Sequence, residues 1–489
     1  DAAIESLVSR LRSPLRVTAY VTTGTPRFDA FVRELTAWLD AFASRSPGTL
    51  VVTVIHVDTD AERAEAKAAG LLESAFNDGD GEEPAAGPKG YMGLTFEYGG
   101  QKDAVGLLSP DKAYELDFWL LLRLGDLHAR AHGLFKKIGL VTGKEELKLT
   151  DPDLIPSSGN RPDPSMMKIL KEALPIYKIV DVDLRGGGSA IDDTLAGLII
   201  TQPGVDYTEA ELRRVDQFLM RGGTALAVFA SAVNVAASDH SMNAELDARG
   251  LPALLEGYGI EMREEAILDW GGSIAIPVST SSGGEVWYRA PSIVQAEHDS
   301  RLDAARQRLD PTSPVFFNMD ELSFPFPSTL VPHPEKQPEA VMSVIARTSP
   351  KSTVDASKTL SMKIATEWKA KGELAQRAMA IAVEGRLRSA FKGVDPSSGG
   401  KWPARSGDDS RVVVISSSQF LANPFVRAGR PPAGSTSGAG GDEMLLELAQ
   451  PYAQKFITGT VLALKNTLDW MAGGDSSYAC AARLRPPKK

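Results

Sequence analysis

The stretch from Leu195 to Phe229 constrains the fold more than any other part of the chain. It reads LAGLIIT, then Gln202-Pro203-Gly204, then an amphipathic segment from Thr208 to Arg221, then Gly222-Gly223 and TALAVF. Short apolar, β-branched runs predict buried strands, and the helical spacing of apolar residues between them predicts a crossover helix. A strand, a helix and a second strand in this order favour parallel pairing within an α/β sheet.

The same alternation extends on both sides of this stretch. Further strands are predicted at Lys137–Thr142, Ile176–Leu184 and Arg411–Ser416, and a long closing helix at Glu443–Trp470. This pattern is typical of a parallel sheet with helices on both faces. Between about residues 261 and 340 it breaks and Gly, Ser and Pro become frequent, which predicts an inserted subdomain. Residues 397–408 and 428–442 are rich in Gly, Pro and Ser and are predicted to be mobile loops.

The first 135 residues have a different order of elements. Strands are predicted at Leu15–Val21 and Leu50–Val57, with a helix at Phe28–Phe42 between them. A hairpin around Gly99-Gly100 and a helix at Tyr114–Arg130 follow. Together with a short helix after the second strand, this gives the order β-α-β-α-β-β-α, which is thioredoxin-like.

Composition excludes several classes of protein. The formal net charge of −10 disfavours binding to nucleic acid and gives no general attraction to anionic lipid. Cys480 is the single cysteine, so neither an intrachain disulfide nor a CxxC metal site can form. The sequence contains no run of about 18 apolar residues that would span a bilayer. Because the chain begins at Asp1 without Met, we expect a processed or truncated protein with any membrane anchor outside it.

Several motifs, taken in order, resemble the auxiliary-component family of gliding-motility ABC transporters. They are YMGLTFEYGGQ at 91–101, YELDFWLLLRL at 114–124, KKIGLVTGKEE at 136–146, the stretch 195–229, and ALKNTLDWMAGGD at 463–475. The family's Thr-Gly strand end usually carries a His two positions on. Here Lys144 directly follows Gly143 and that His is missing.

The resemblance implies a location and partners. Proteins of this type are anchored by membrane helices before and after the extracytoplasmic, periplasmic part, next to an ABC permease and its ATPase. Their second domain is similar to a class-I amidotransferase-like fold, also seen in an intraflagellar-transport subunit, where it serves assembly. We therefore expect a thioredoxin-like domain at 1–135 without redox cysteines. A flavodoxin- or amidotransferase-like doubly wound domain with an inserted subdomain is expected at 136–489.

Catalytic chemistry finds little support in the residues. The turn after the first strand, Thr22 to Pro26, has no sulfur for redox work. Amidotransferase-like hydrolysis needs a nucleophile on a sharp turn with a base nearby. After the strand that ends at Phe229, only Ser231 is suitable, and His240 is the nearest His in sequence. A polar loop explains both residues better, so we predict no catalytic residue.

Cofactor and metal motifs are also weak. Gly186-Gly187-Gly188 and Gly222-Gly223 lack phosphate-loop spacing, so no ATP site and no cofactor is expected. The acidic run Asp78–Glu83 lacks the register of a calcium loop. His128 and His132 stand four apart on a helix and could chelate zinc, but no third ligand is near in sequence. The prediction is that no metal binds.

Two groups of residues are candidates for binding. Ligand sites of open α/β sheets lie beyond the carboxyl ends of the strands. That rule predicts a rim for a small molecule or peptide at Thr142, Gly143, Gln202, Pro203 and Gly204. In the insertion, Phe324 and Phe326 alternate with prolines, which suits either docking of a partner or packing within the domain.

The sequence thus predicts a non-catalytic, extracytoplasmic accessory subunit that acts by contact. Its expected partners are a permease, an ATPase and envelope or surface components. Two alternatives stay open, a periplasmic hydrolase of amidotransferase-like fold that uses Ser231 or another hydroxyl, and a solute- or peptide-binding protein. The transported substrate and the formation of a homodimer are left open.

Overall fold

A computed structural model describes residues 11–24, 26–45, 48–75, 89–108, 116–156, 164–185, 191–279, 284–299, 301–302, 307–310, 312–317, 319–363, 369–391, 403–431 and 442–473. The described residues up to Phe135 form one compact unit, and those from Lys136 onward form another. Each unit has its own hydrophobic core.

The first unit is built on a four-stranded sheet. Its strands, with a separate short pair, are β1 (Leu15–Val21), β2 (Leu50–His56), β3 (Ser74–Ala75), β4 (Lys89–Gly90), β5 (Met92–Tyr98) and β6 (Gln101–Val105). The sheet order is β2-β1-β5-β6, with β1 parallel to β2 and antiparallel to β5. Gly99 and Gly100 both have positive φ, as the tight two-residue turn between β5 and β6 requires.

Three helices belong to the first unit. They are α1 (Pro26–Arg45), α2 (Asp60–Ala68) and α3 (Leu116–His132). Leu35 and Leu39 of α1 and Leu127 of α3 pack on the inner face of the sheet. Thr59 caps α2, because its hydroxyl accepts from the backbone of Glu62 while the Glu62 carboxylate accepts from the backbone of Thr59.

The second unit is organised around a nine-stranded sheet. The strands of this unit are β7 (Lys136–Thr142), β8 (Tyr177–Asp183), β9 (Leu195–Thr201), β10 (Ala225–Phe229), β11 (Val233–Val235), β12 (Asn243–Leu246), β13 (Ile260–Met262), β14 (Ala266–Asp269), β15 (Ser273–Ser279), β16 (Glu285–Glu297), β17 (Glu321–Pro325), β18 (Leu330–Pro332), β19 (Ala340–Arg347), β20 (Ser352–Asp355), β21 (Thr359–Ser361), β22 (Ala378–Gly385) and β23 (Ser410–Ile415). The large sheet runs β13-β18-β22-β23-β10-β9-β7-β8, and β19 also pairs with β22.

Five neighbouring strands of this sheet are parallel. They lie in the order β8-β7-β9-β10-β23, which is 2-1-3-4-5 when the parallel strands are numbered along the chain. All residues of β10 are buried, with Ala227 and Phe229 in one core and Leu226 and Val228 in the other. Both faces of the sheet are therefore covered, which explains the continuous apolar run in the sequence.

The helices of the second unit cover both faces. They are α4 (Met166–Ala173), α5 (Glu209–Met220), α6 (Pro252–Leu255), α7 (Pro424–Gly429), α8 (Glu443–Tyr452) and α9 (Thr458–Met471). Leu212 and Phe218 of α5 lie on one face, and Leu464 and Leu468 of α9 lie on the other. A π-helical turn at Ala453–Ile457 joins α8 to α9 two residues after Pro451, which has no N–H to donate within the helix.

The region predicted as an inserted subdomain is not separate from the large sheet, because some of its strands belong to that sheet. β13 and β18, within residues 260–332, join the large sheet as antiparallel strands, whereas β15, β16 and β17 form a separate sheet. β20 and β21 lie after residue 340 but pair with β14 and β12 in small sheets. An antiparallel strand added at the edge of a sheet can be joined to its neighbour by a short turn and needs no crossover helix. Sequence rich in Gly, Ser and Pro can therefore form these edge strands and their turns.

Some predictions fall on residues outside the described part of the chain. These are Cys480, the acidic run Asp78–Glu83, Gly186–Gly188, and most of the loops at 397–408 and 428–442. Ala428 and Gly429, at the start of the second loop, belong to α7. Within the described residues, no helix is long and apolar enough to cross a membrane.

Candidate functional site

A cavity of about 780 Å³ lies at the carboxyl ends of the parallel strands. Its walls come from the segments that follow β7, β9, β10 and β23, including Glu145, Gln202, Asn234 and Ser418. β7 and β9 are the first and third parallel strands, where the order of the sheet reverses. Doubly wound sheets place ligand sites at this reversal, because neighbouring loops diverge there and leave a crevice.

The loops after β7 and β9 are joined by backbone hydrogen bonds. The amides of Gly204 and Val205 donate to the carbonyl of Lys144, and the amide of Leu147 donates to the carbonyl of Gln202. Gly204 fits closely here, since a Cβ would lie 2.9 Å from the Cβ of Glu145. These contacts fix one wall of the cavity.

The buried carboxylate of Glu146 stabilises the same wall through two hydrogen bonds. Glu146 accepts hydrogen bonds from the Tyr207 hydroxyl and from the amide of Lys144, both at 2.8 Å. Burial, together with the Glu146 carboxylate, raises the pKa of Tyr207 above its ordinary value. Burial alone would raise the pKa of Glu211, but its bonds with Lys144 and Thr208 lower it. Bonds within the protein therefore hold both the Glu146 and the Glu211 carboxylate in place.

Gln202 joins the end of β9 to the segment after β10. Its Nε2 donates to the Asn234 side-chain oxygen at 2.7 Å and to the Ser231 carbonyl at 3.1 Å. Its Oε1 accepts from the amide of Ser231 at 2.9 Å. Asn234 in turn donates to the carbonyl of Asp247 at 2.7 Å. The side chains of Gln202 and Asn234 both line the cavity, and their hydrogen bonds join the segments that form its walls.

Ser231 does not form a catalytic pair with His240. The Ser231 hydroxyl is buried, donates to the carbonyl of Phe326 at 2.7 Å, and accepts from the amide of Val233. His240 Nε2 instead contacts the carbonyl of Arg430 at 3.1 Å. The two side chains have different partners, and the hydroxyl ties the strand end to the segment containing Phe326.

The floor of the cavity follows β23 and contains buried polar atoms without partners. Ser418 and Gln419 are each 3% exposed, and Arg427 is 9% exposed. Among the described residues, Ser418 Oγ, Gln419 Oε1 and Arg427 Nε have no hydrogen-bond partner, and neither has Arg249 Nε in the wall. Burying such groups costs free energy, so these four atoms make the cavity a candidate binding site.

A buried ion pair with Asp153 holds the guanidinium of Arg427. Its Nη1 donates to Asp153 Oδ2 at 2.8 Å, and Asp153 is 2% exposed. Burial raises the pKa of Asp153, although Arg427 acts in the opposite direction. The bond to Asp153 fixes the position of Arg427, which lines the cavity.

The rim of the cavity holds strained backbone. Glu145 (φ 55°) and Arg249 (φ 51°) line the cavity in the left-handed region. Ser238 (φ 60°) and Met242 (φ 50°) are in the same region, between stretches that line it. Each such residue costs roughly 1 kcal/mol or more, and such residues concentrate at functional sites.

Of the five residues predicted to form a ligand-binding rim, three line the cavity and two do not. Gln202, Pro203 and Gly204 line the cavity, whereas Thr142 and Gly143 do not. Gly143 has φ 111°, and a Cβ there would lie 2.7 Å from Asp183 Oδ1, so its glycine serves the turn beside the end of β8.

Phe324 and Phe326 are core residues. They are 0% and 1% exposed, and the Phe324 ring packs 5.4 Å from that of Phe420. They offer no surface to a partner. Of the two interpretations of this motif, packing within the domain agrees with the structure.

The histidine pair packs around an aromatic ring. The rings of His128 and His132 are 4.6 Å apart, and His132 Nε2 is 2.9 Å from the hydroxyl of Tyr98. In the part of the chain that the structure describes, no group of three or more potential ligands could hold a metal ion.

Ser418, Gln419, Arg249 and Arg427 were not among the predicted site residues. The rule that selected Gln202 also applies to Ser418 and Gln419, since both directly follow a predicted parallel strand. Arg249 and Arg427 come from a loop and from α7, and sequence patterns gave no signal for them.

Two family models match separate parts of the chain. A family model described as "ABC-type uncharacterized transport system" matches residues 136–446, and one described as a domain of unknown function matches residues 3–97. A solved structure titled "mmIFT52 N-terminal domain" is 12% identical, with a TM-score of 0.33; the match covers 70% of this chain and 99% of that one. No curated protein is significantly similar to the chain. Because the first model spans more than half of the sequence, the chain belongs to this family of auxiliary components of ABC-type transport systems.

Proposed function

We propose that the chain is a non-catalytic, extracytoplasmic accessory subunit of a gliding-motility-type ABC transporter, and that it acts by binding through the cavity at its strand ends. One observation carries this proposal. Residues that line the cavity carry buried hydrogen-bonding atoms without partners among the described residues, whereas the candidate nucleophile Ser231 lies outside the lining and has its hydroxyl bonded to backbone. Such a site is suited to holding a ligand.

The hydrolase alternative lacks a catalytic arrangement. A hydrolase needs a hydroxyl within reach of a base, and the base in turn needs an orienting group. Ser231 Oγ and His240 Nε2 each contact a different backbone carbonyl. A binding role requires none of this geometry.

We also propose fold assignments for the two units. The β2-β1-β5-β6 order with one parallel pair supports a thioredoxin-like first domain. The parallel order 2-1-3-4-5 supports a flavodoxin- or amidotransferase-like second domain. Scaffolds of this kind host many functions, so the binding role rests on the cavity rather than on the fold.

The proposed partners are a permease, an ATPase and envelope components, with membrane anchors outside this chain. The test is affinity purification of the intact, tagged protein from its native membranes in mild detergent, followed by quantitative mass spectrometry. We expect a permease and an ATPase to be enriched over an equally abundant tagged membrane protein. Recovery of intact protein with neither subunit enriched would contradict the proposal.

A further inference from the structure

We infer that the cavity binds a short, extended segment of polypeptide that is uncharged or basic. This inference rests on the proposed binding function and names the class of ligand.

The unpaired atoms require a ligand that both donates and accepts hydrogen bonds. Arg427 Nε and Arg249 Nε can only donate, and Gln419 Oε1 can only accept. The Ser418 hydroxyl can do either. A peptide backbone presents N–H and C=O groups at regular intervals, so one extended segment can satisfy all four atoms.

The charges of the cavity disfavour anions. Nη1 of Arg427 already donates to Asp153, and the Nη atoms of Arg249 pair with Asp247 and Glu245. The lining holds four carboxylates against three cations. With both arginines paired and carboxylates outnumbering cations in the lining, the site offers no excess of positive charge to a phosphate or carboxylate ligand.

The walls are small and, among the described lining residues, not aromatic. Ala236, Ala237 and Ala244 line one side, beside the edge strand β11. Sugar rings and nucleobases are usually held against aromatic faces. A cavity of about 780 Å³ between short strands favours a narrow, extended ligand instead.

Access to the floor requires a small movement of the rim. The unpaired atoms have almost no solvent-accessible surface in this conformation. Glu145 and Arg249 line the same cavity with left-handed backbone, which is costly to hold. Relaxation of this backbone on binding would offset part of the cost of opening.

The experiment is isothermal titration of the full chain with end-capped tripeptides. The probes are acetylated and amidated Ala-Ala-Ala, Ala-Lys-Ala and Ala-Glu-Ala. We expect Ala-Lys-Ala to bind at least as well as Ala-Ala-Ala, and Ala-Glu-Ala to bind several-fold more weakly. NMR shifts of the backbone amides at 234–237 and 417–419 should locate the bound peptide.

Two variants test the site, each with a matched control. Ser418→Ala removes one unpaired hydroxyl and should weaken binding about tenfold. Ala237→Trp fills the exposed wall and should abolish binding. Ser357→Ala and Val341→Trp, both at exposed positions outside the lining, should leave the affinity unchanged.

Each other outcome overturns the inference. Binding of chitotriose or inorganic phosphate with no peptide binding would assign the cavity to another class of ligand. Peptide binding that survives Ala237→Trp would place the site elsewhere. Absence of peptide binding while a permease and an ATPase still co-purify would refute this inference and leave the accessory function standing.

Discussion

At the scale of single residues, three consecutive serines after β23 show how the site differs from the scaffold. Ser416 and Ser417 are fully buried, and their hydroxyls donate to the carbonyls of Ser328 and Pro325. Ser418 is almost as buried, yet its hydroxyl has no partner among the described residues. Two serines therefore hold the fold together, and the third is available for a ligand.

Replacing Ser418 by Ala should stabilise the protein. The substitution removes a buried, unpaired hydroxyl, so the free energy of unfolding should rise by about 1 kcal/mol. Ser417→Ala, which breaks a bond of 2.6 Å, should instead lower it by about 1 kcal/mol. Urea unfolding of both variants measures the difference, and a stability loss in Ser418→Ala would show that its hydroxyl has a structural role.

Tyr20 makes the stability of the first unit sensitive to alkaline pH. Burial and the hydrogen bond to Glu65 raise the pKa of Tyr20 to about 12 from 10.0. The folded state therefore keeps a proton that the unfolded chain releases, and stability falls as pH rises from 10 to 12. Tyr20→Phe should flatten this dependence, as measured by unfolding across that range. An unchanged slope would contradict the role given to Tyr20.

At the scale of elements, most strands and helices could be predicted from local patterns. β1 and β9 begin and end where the sequence predicts them, because a buried strand needs a continuous apolar run bounded by turn residues. The closing helix was also predicted, but the π-helical turn within it was not. A π-helical turn replaces hydrogen bonds between residues four apart by bonds between residues five apart. It leaves the spacing of apolar residues almost unchanged, so the sequence pattern does not reveal it.

The candidate site was predictable only in part. Gln202, Pro203 and Gly204 follow a recognisable parallel strand, and the structure places all three in the cavity wall. Arg249 and Arg427 come from elements far apart in sequence, so only the folded chain brings them together. The Phe-Pro-Phe-Pro motif could not be placed from sequence, because buried and exposed aromatic residues have the same local pattern.

Asn423 joins three elements at the base of the site. Its side chain caps α7 by accepting from the amides of Phe425 and Val426, and donates to the carbonyls of Leu154 and Ala449. Asn423→Ala should lower the free energy of unfolding by about 3 kcal/mol, since the cap and two buried bonds are lost. Calorimetry measures this loss.

The control is Asn243→Ala at an exposed position, which should change stability by less than about 0.5 kcal/mol. Equal effects of the two substitutions would refute the role of Asn423 as a junction.

At the scale of the whole molecule, the cavity exists only because crossover connections bring distant segments to one edge of the sheet. Its walls include residues from Glu145 to Arg427, a large part of the second unit. The scaffold buries both faces of the sheet, which leaves the strand ends as the place where loops can vary without loss of the core. This separation lets an accessory subunit keep its fold while its loops adapt to a partner.

The most direct test of a function by contact compares two substitutions in the intact protein, purified with its partners from native membranes. Ser231→Ala removes the candidate nucleophile that follows β10, and Ala237→Trp fills the cavity wall. The account predicts that Ser231→Ala still retains the permease and the ATPase and that Ala237→Trp loses them, both at normal protein abundance. The opposite result would contradict this account. In that result both variants retain the permease and the ATPase, and only Ser231→Ala loses the activity of the transporter.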